Sequence, residues 1–317
     1  MKFAIVLARL RSASFMRIVS LLPSATEILY ALGLGESVVG VTHECDFPPE
    51  AARNPALIKP RVDPHAPPAE IDRQVSDLVR RGESIYAIDA GLLAALKPDL
   101  IVTQDLCHVC AASPDDLATA LARFQNPPRV LTLTPHSLED AWQDIERVGY
   151  ATKMSKAAEA LSTRLRRRVA CTASAVARVT HRPRVLCLEW LEPLYVAGHW
   201  VPEMVSRAGG NDVLGLSGEP SFKVTANEVS DTDAEVILIM LCGYSAAKNA
   251  AQFSAMPLLQ SWTRLPALRE RKIFALDANG YFSRPGPRLA EGVEILAHIF
   301  HPGLFSAALP IAACAKL

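Results

Sequence analysis

Residues 17–41 read RIVSLLPSATEILYALGLGESVVGV, and this stretch decides the fold class. Arg17 to Leu22 is a short apolar run that predicts a strand, and Val38 to Val41 predicts a second. Between them Ser24-Ala25-Thr26-Glu27 has the spacing of a capping box. Ser24 is expected to cap a new helix, Glu27 to return the hydrogen bond, and Gly33 to end the helix. Strand, helix and strand in one short stretch form the repeating unit of a parallel α/β sheet.

The alternation continues outward. Leu100 to Thr103 predicts another strand, preceded by a short helix that stops at Lys97-Pro98, and Arg129 to Leu133 predicts the next. The period then changes. Met154, Ala157, Ala158, Leu161, Leu165, Val169, Ala173, Val176 and Ala177 recur every three or four positions to about Val179, which predicts one amphipathic helix. At ~27 residues it would be roughly 40 Å long, and His181-Arg182-Pro183 ends it. Strands resume at Arg184 to Leu188, Val236 to Met240 and Ile273 to Leu276, and a helix over Arg288 to Phe300 closes the series.

The expected architecture is therefore α/β, with two Rossmann-like lobes joined by one long backbone α-helix. Its boundaries are an extension or mis-called start over 1–15, an N-terminal lobe over 16–151 and the linking helix over 152–180. A C-terminal lobe over 181–305 and a tail over 306–317 complete the chain.

Composition narrows the function. The 33 basic and 33 acidic side chains cancel, so the chain lacks the electrostatic footprint of a nucleic-acid binder. No apolar run approaches the roughly 18 residues of a membrane span. The start MKFAIVLARLRSASFM offers only Phe3 to Ala8 before Arg9 and Arg11 interrupt it, a poor export signal. The seven cysteines are an odd, scattered number that reads as reduced thiols. Together these features predict a cytoplasmic location, with the periplasm as the alternative.

Ligands in open α/β sheets bind beyond the carboxyl ends of the strands, so the loops there carry the candidate residues. After the second strand come His43, Glu44 and Cys45, and after the third come Gln104, Cys107, His108 and Cys110. The second lobe offers Trp190, His199, Trp200, Tyr244, Tyr281, Phe282 and Arg284. Large rings at such places line pockets for flat ligands, although core packing explains buried aromatics equally well. His43, Cys107, His108 and Cys110 carry groups that bind a soft metal. The competing reading makes the cysteines small buried hydrophobes and the histidines hydrogen-bonded loop residues.

Five phrases give a more specific signal. VSLLPSATEILYALGLGESVVGVTHECDFPPE (19–50), LAALKPDLIVTQ (93–104), the long central helix, AGHWVPEMVSRAGGNDVLG (197–215) and YFSRPGPRLAEGVEIL (281–296) occur in the order found in one family. In these the chain resembles the cobalamin-binding members of the helical-backbone (class III) substrate-binding proteins of ABC transporters. The resemblance implies a corrinoid held in a cleft between the two lobes, and a transporter permease as partner. It also implies an aromatic ligand contact at Tyr281. Two departures stand out. Family members dock to the permease through an acidic residue on each lobe, and the aligned positions here are Gly91 and Asn227, with Glu228 adjacent. An insertion over Asp63 to Ser84 replaces a ligand-facing aromatic segment.

The resulting expectation is non-catalytic binding of cobalamin or a related corrinoid, for uptake or intracellular handling, with a metal ion as a further possible ligand. The alternative on the same fold is an iron chelate, haem or metal ion. An enzyme using Cys107 or Cys110 with His43 or His108 is the competing class, and no glycine-rich phosphate loop, nucleophile elbow or HExxH pattern supports it.

Overall fold

The computed structural model describes residues 16–104, 114–257, 260–305 and 312–317. These divide into two compact units. The first holds the described residues up to Arg61 together with Ser84–Leu133 and Ala151–Lys153. The second holds Val62–Glu83, Thr134–Tyr150 and the chain from Met154 onward.

The first unit is built on six strands: β1 (Ile18–Ser20), β2 (Val38–Thr42), β3 (Ala56–Pro60), β4 (Tyr86–Ile88), β5 (Leu100–Gln104) and β6 (Arg129–Leu133). They lie in the order β4-β3-β2-β1-β5-β6, all neighbours parallel except the antiparallel β3–β4 pair. The chain leaves β1 in one direction to β2 and later returns to its other side as β5. The carboxyl ends of β1 and β5 therefore flank the switch point where α/β sheets leave a crevice. Val19, Leu21, Leu57, Ile58, Leu93 and Ile101 form the buried face that helices cover.

The helix after β1 starts differently from its predicted capping box. It runs Pro23–Ala31, so Ser24 and Glu27 lie inside it and are buried, and extended Leu22 is the cap residue, without a side-chain hydrogen bond. Pro23 explains the shift. Its ring fixes φ near the helical value and it has no N–H to leave unpaired, so the first turn begins on it. The predicted stop holds: Gly33 takes φ +77° and Leu34 N–H donates to the Leu29 carbonyl.

The second unit contains β7 (Arg184–Leu191), β8 (Leu194–Val196), β9 (Asn211–Asp212), β10 (Phe222–Lys223), β11 (Val236–Ile239), β12 (Ile273–Leu276) and β13 (Cys314–Lys316). The sheet order is β10-β8-β7-β11-β12-β13, with β9 also paired to β7. The β7–β11–β12 centre is parallel, and its strands are apolar on both faces as a covered sheet requires. The segment set aside as a tail supplies the antiparallel edge strand β13.

The long helix is Ser155–Ala175, 21 residues, which at 1.5 Å each is about 32 Å. It buries Ala158, Leu161, Leu165 and Val169 of the stripe that the sequence periodicity marked, together with Ser162 and Thr172. It stops before Val179 because its last stretch is rich in Thr, Ser and Val, which favour the helix least among ordinary residues. Arg168 ties it to the helix Leu289–Phe300, donating to both carboxylate oxygens of Glu294 at 2.9 and 2.7 Å. The Asp63 to Ser84 insertion folds as a helix, Pro68–Arg80, whose exposed face is laced by Arg73 to Glu70 and Asp77.

Candidate ligand-binding site

In the first unit the loop after β2 carries His43, Glu44 and Cys45. The His43 ring packs at 5.9 Å from Tyr86, and its Nδ1 lies 3.1 Å from the Ile58 carbonyl. A carbonyl oxygen only accepts, so Nδ1 is the donor of this pair. Nε2 is 3.8 Å from a Glu44 oxygen, and both side chains are substantially exposed. Cys45 is placed otherwise. Its thiol is 2% exposed, receives the Thr26 hydroxyl at 3.0 Å and lies 3.3 Å from the Thr42 hydroxyl, so it packs into the lobe. Gln104 ends β5 and is buried. Cys107, His108 and Cys110 lie outside the described residues.

The second unit gathers its aromatic candidates in three groups. Trp190 at the end of β7 meets Tyr244 edge-on at 5.8 Å, donates its indole N–H to the Glu192 carbonyl, and remains partly exposed. Lys248 stands 3.6 Å over the Tyr244 ring. The stretch after β12 is a short helix, Ala278–Tyr281. There Tyr281 is half-buried beneath the Arg288 guanidinium, which is 5.7 Å from its ring centre. Phe282 and Trp200 instead belong to the interior: they are 2% and 4% exposed, and Trp200 donates its indole N–H to the Phe282 carbonyl at 2.7 Å. Arg284 is also buried.

His199 forms the third group with Trp200 and a residue that the sequence reading missed. Its ring stacks on Trp200 at 5.6 Å, and 6.0 Å away is His136, from the segment between β6 and the helix Leu138–Ala151. Burial holds the His199 imidazole below its ordinary pKa, and the neighbouring His136 pushes the same way. A signal for His136 existed. Ser137 and Asp140 cap the following helix reciprocally, the Ser137 hydroxyl receiving the Asp140 N–H, which marks His136 as the last residue of a strand-end loop.

Around β7, Glu189 accepts from the Ser221 hydroxyl at 2.7 Å, and burial raises its pKa against that bond. Burial likewise pushes the Cys187 thiol well up, with Asp212 adding to it, so Cys187 is a neutral buried thiol. No group of three or more His, Cys, Asp or Glu side chains forms a metal cluster among the described residues.

A model of the periplasmic binding proteins matches residues 18–279. The chain belongs to the periplasmic binding protein family. Its relatives align over most of their length. The vitamin B12-binding protein of Vibrio parahaemolyticus is 26% identical over 286 residues, covering 89% of this chain and 88% of that one. The uncharacterized ABC transporter substrate-binding lipoprotein YvrC of Bacillus subtilis is 23% identical over 294 residues, covering 91% and 81%. Among solved structures, the apo periplasmic heme-binding protein RhuT from Roseiflexus sp. RS-1 superposes with a TM-score of 0.68 at 25% identity, covering 92% of this chain and 99% of that one.

As a periplasmic binding protein this chain has the two-lobed α/β fold of the helical-backbone substrate-binding proteins, whose role is to bind a solute for an ABC transporter. The expected cytoplasmic location is corrected by these findings: the family and its named relatives are periplasmic proteins or lipoproteins, which points to a periplasmic or extracellular setting. Scattered reduced cysteines misled because a chain of this size needs no disulfide in any compartment. Among the described residues no helix is long and apolar enough to cross a membrane.

Gly91 lies in the helix Ala90–Leu96 and Asn227 in the helix Ala226–Ser230. Glu228 adjoins Asn227, and Asp89 lies two residues before Gly91. Asp89 caps its helix by accepting from Leu92 N–H at 2.9 Å, and Glu228 closes a capping box with Thr225.

Proposed function

We propose that this periplasmic binding protein binds cobalamin or a related corrinoid without chemical turnover and hands it to an ABC permease. The observation that carries the reading is the alignment with the Vibrio parahaemolyticus vitamin B12-binding protein along nearly the whole of both chains. The chemistry at the strand ends supports it. A corrinoid presents a flat apolar face and a rim of amide groups. Trp190 and Tyr281 offer partly exposed rings, and Lys248 and Arg288 offer donors for amide oxygens. His43 fits a cobalt ligand: its Nδ1 is held at the Ile58 carbonyl, and Nε2, 3.8 Å from a Glu44 oxygen, is the nitrogen that would coordinate.

Haem is the second reading, favoured by the superposition with the heme-binding protein RhuT. The two ligands differ at the rim, which is anionic carboxylate in haem and neutral amide in cobalamin. The chain carries no net charge to favour an anion. Titration of the reduced apo-protein with hydroxocobalamin and, separately, with hemin distinguishes them by visible absorption and retention through desalting. Retained corrinoid with shifted bands is the expected result. Hemin retained and corrinoid lost would transfer the site to haem, and retention of neither would refute both readings.

A further inference from the structure

Two imidazoles of the second unit meet outside the aromatic groups assigned to the corrinoid. The ring centres of His136 and His199 are 6.0 Å apart, with planes inclined at 49°. A metal–imidazole bond is about 2.0–2.1 Å and a ring nitrogen lies about 1.1 Å from its ring centre. Two rings sharing one ion therefore stand roughly 5.1 Å apart in tetrahedral geometry and roughly 6.3 Å apart in linear geometry. The observed spacing falls inside that window. We propose that His136 and His199 form a binding site for a divalent transition-metal ion of the Zn²⁺, Ni²⁺ or Cu²⁺ class.

The backbone on both sides is prepared for such a site. His199 sits at φ +52°, a left-handed conformation that a residue with a Cβ adopts only when its surroundings impose it. Here they do so twice: its N–H donates to the Glu219 carbonyl at 2.6 Å, and its own carbonyl accepts from Gly218 N–H at 2.8 Å. Trp200 stacks on the ring and is itself anchored to the Phe282 carbonyl. His136 is held by its N–H, donated to Asp140 at 3.0 Å. The two segments are joined two residues beyond His136, where Leu138 N–H donates to Glu203 at 3.0 Å, Glu203 lying on the helix that follows His199. Rings presented from clamped backbones lose little freedom on binding an ion.

The His199 ring also has an unmet need. Its Nδ1 is buried and has no hydrogen-bond partner among the described residues. A metal ion supplies the missing partner. Imidazole donors select the later first-row divalent ions over Mg²⁺ or Ca²⁺, which want oxygen. With no cluster of three or more potential ligands among the described residues, the remaining coordination positions are left to water or to donor atoms of a bound solute.

The test uses the full chain, stripped with chelator and free of corrinoid or haem, so that its outcome is independent of the solute reading. Isothermal titration with ZnCl₂ and with NiCl₂ is expected to show one site, with MgCl₂ giving no heat. His136→Ala, at an exposed side chain, should weaken Zn²⁺ binding at least tenfold. His199→Asn, which keeps a residue tolerant of the left-handed backbone, should do the same while circular dichroism and thermal unfolding stay as in the parent. His181→Ala, an exposed histidine paired with Glu235, is the control for surface binding and should leave the affinity in place. The proposal is overturned if the parent binds neither ion, if His136→Ala binds as the parent does, or if His181→Ala removes the binding.

Discussion

Asp144 is buried at a penalty that pH should reveal. It lies on the helix Leu138–Ala151, 4% exposed. One oxygen accepts from Arg147 at 2.7 Å, and the other is buried without a partner among the described residues. Burial lifts its pKa from 3.8 to about 6, against the opposing pull of Arg147. The Arg147 side chain is about half exposed, so its ion pair is screened and returns little. The sign follows from linkage. At pH below about 4 both folded and unfolded chains hold the proton, and Asp144 exacts no penalty. As pH rises toward 6 the unfolded chain releases its proton first, so stability falls, and above about 6 the loss is complete. The gap between the two pKa values, at 1.36 kcal/mol per tenfold, corresponds to about 3 kcal/mol. Asp144→Asn keeps the shape and removes the proton. It should be more stable than the parent by about 2–3 kcal/mol at pH 7.5 and by close to nothing at pH 4. Urea unfolding followed by circular dichroism at several pH values measures this, fitted with separate transitions where the two compact units unfold separately. A variant less stable than the parent at pH 7.5, or a difference that does not change with pH, would show that the Arg147 pair outweighs the desolvation and would refute the reasoning.

Four further outcomes are expected. Gly198→Ala should destabilise by about 1–3 kcal/mol and weaken Zn²⁺ binding, because its Cβ would collide with the Glu219 carbonyl that holds the His199 N–H; thermal unfolding and zinc titration read both effects. His43→Ala should retain hydroxocobalamin in the desalting assay but return its absorption bands to those of the free ligand, and unchanged bands would remove His43 as a cobalt ligand. Thr225→Ala, which breaks the capping box with Glu228, should lower stability by about 1 kcal/mol in urea unfolding, with no effect on corrinoid retention. Cys45→Ala should bind corrinoid like the parent, since the buried thiol faces Thr26 and Thr42; loss of binding without loss of stability would show that this placement is wrong.

The parallel core of each sheet was legible because its strands are apolar runs covered on both faces. Ile273–Leu276 falls on the residues that its composition marked, and Leu100–Gln104 and Val236–Ile239 match their predicted spans to within one residue. The strands that escaped notice are Ala56–Pro60, Tyr86–Ile88, Leu194–Val196, Asn211–Asp212, Phe222–Lys223 and Cys314–Lys316. Most have two or three residues, and β3, β4, β8, β10 and β13 lie toward the edges of the sheets. Strands that short have no periodicity of their own, and partners distant in sequence define them. The capping box misread at Ser24 and the one overlooked at Thr225 share a cause. A cap depends on where the preceding residue is already extended, and Pro23 moved that point while nothing moved it at Thr225.

Site residues divide along the same physical line. The sequence places a side chain at the carboxyl end of a strand, but whether it then faces a ligand or the core depends on one turn of backbone. Trp200 and Phe282 directly follow His199 and Tyr281, yet the first pair of rings is in the interior and the second pair is partly exposed. His136 shows the reverse case. The cap in TPHSLED marks its histidine only as a loop residue before a helix, because its chemistry comes from His199, 63 positions later, brought within 6.0 Å by the fold. A single imidazole in a loop is an ordinary polar residue. Only when a second ring stands at the spacing of a shared ion, with a buried nitrogen lacking a partner, does the pair acquire a function that neither residue has alone.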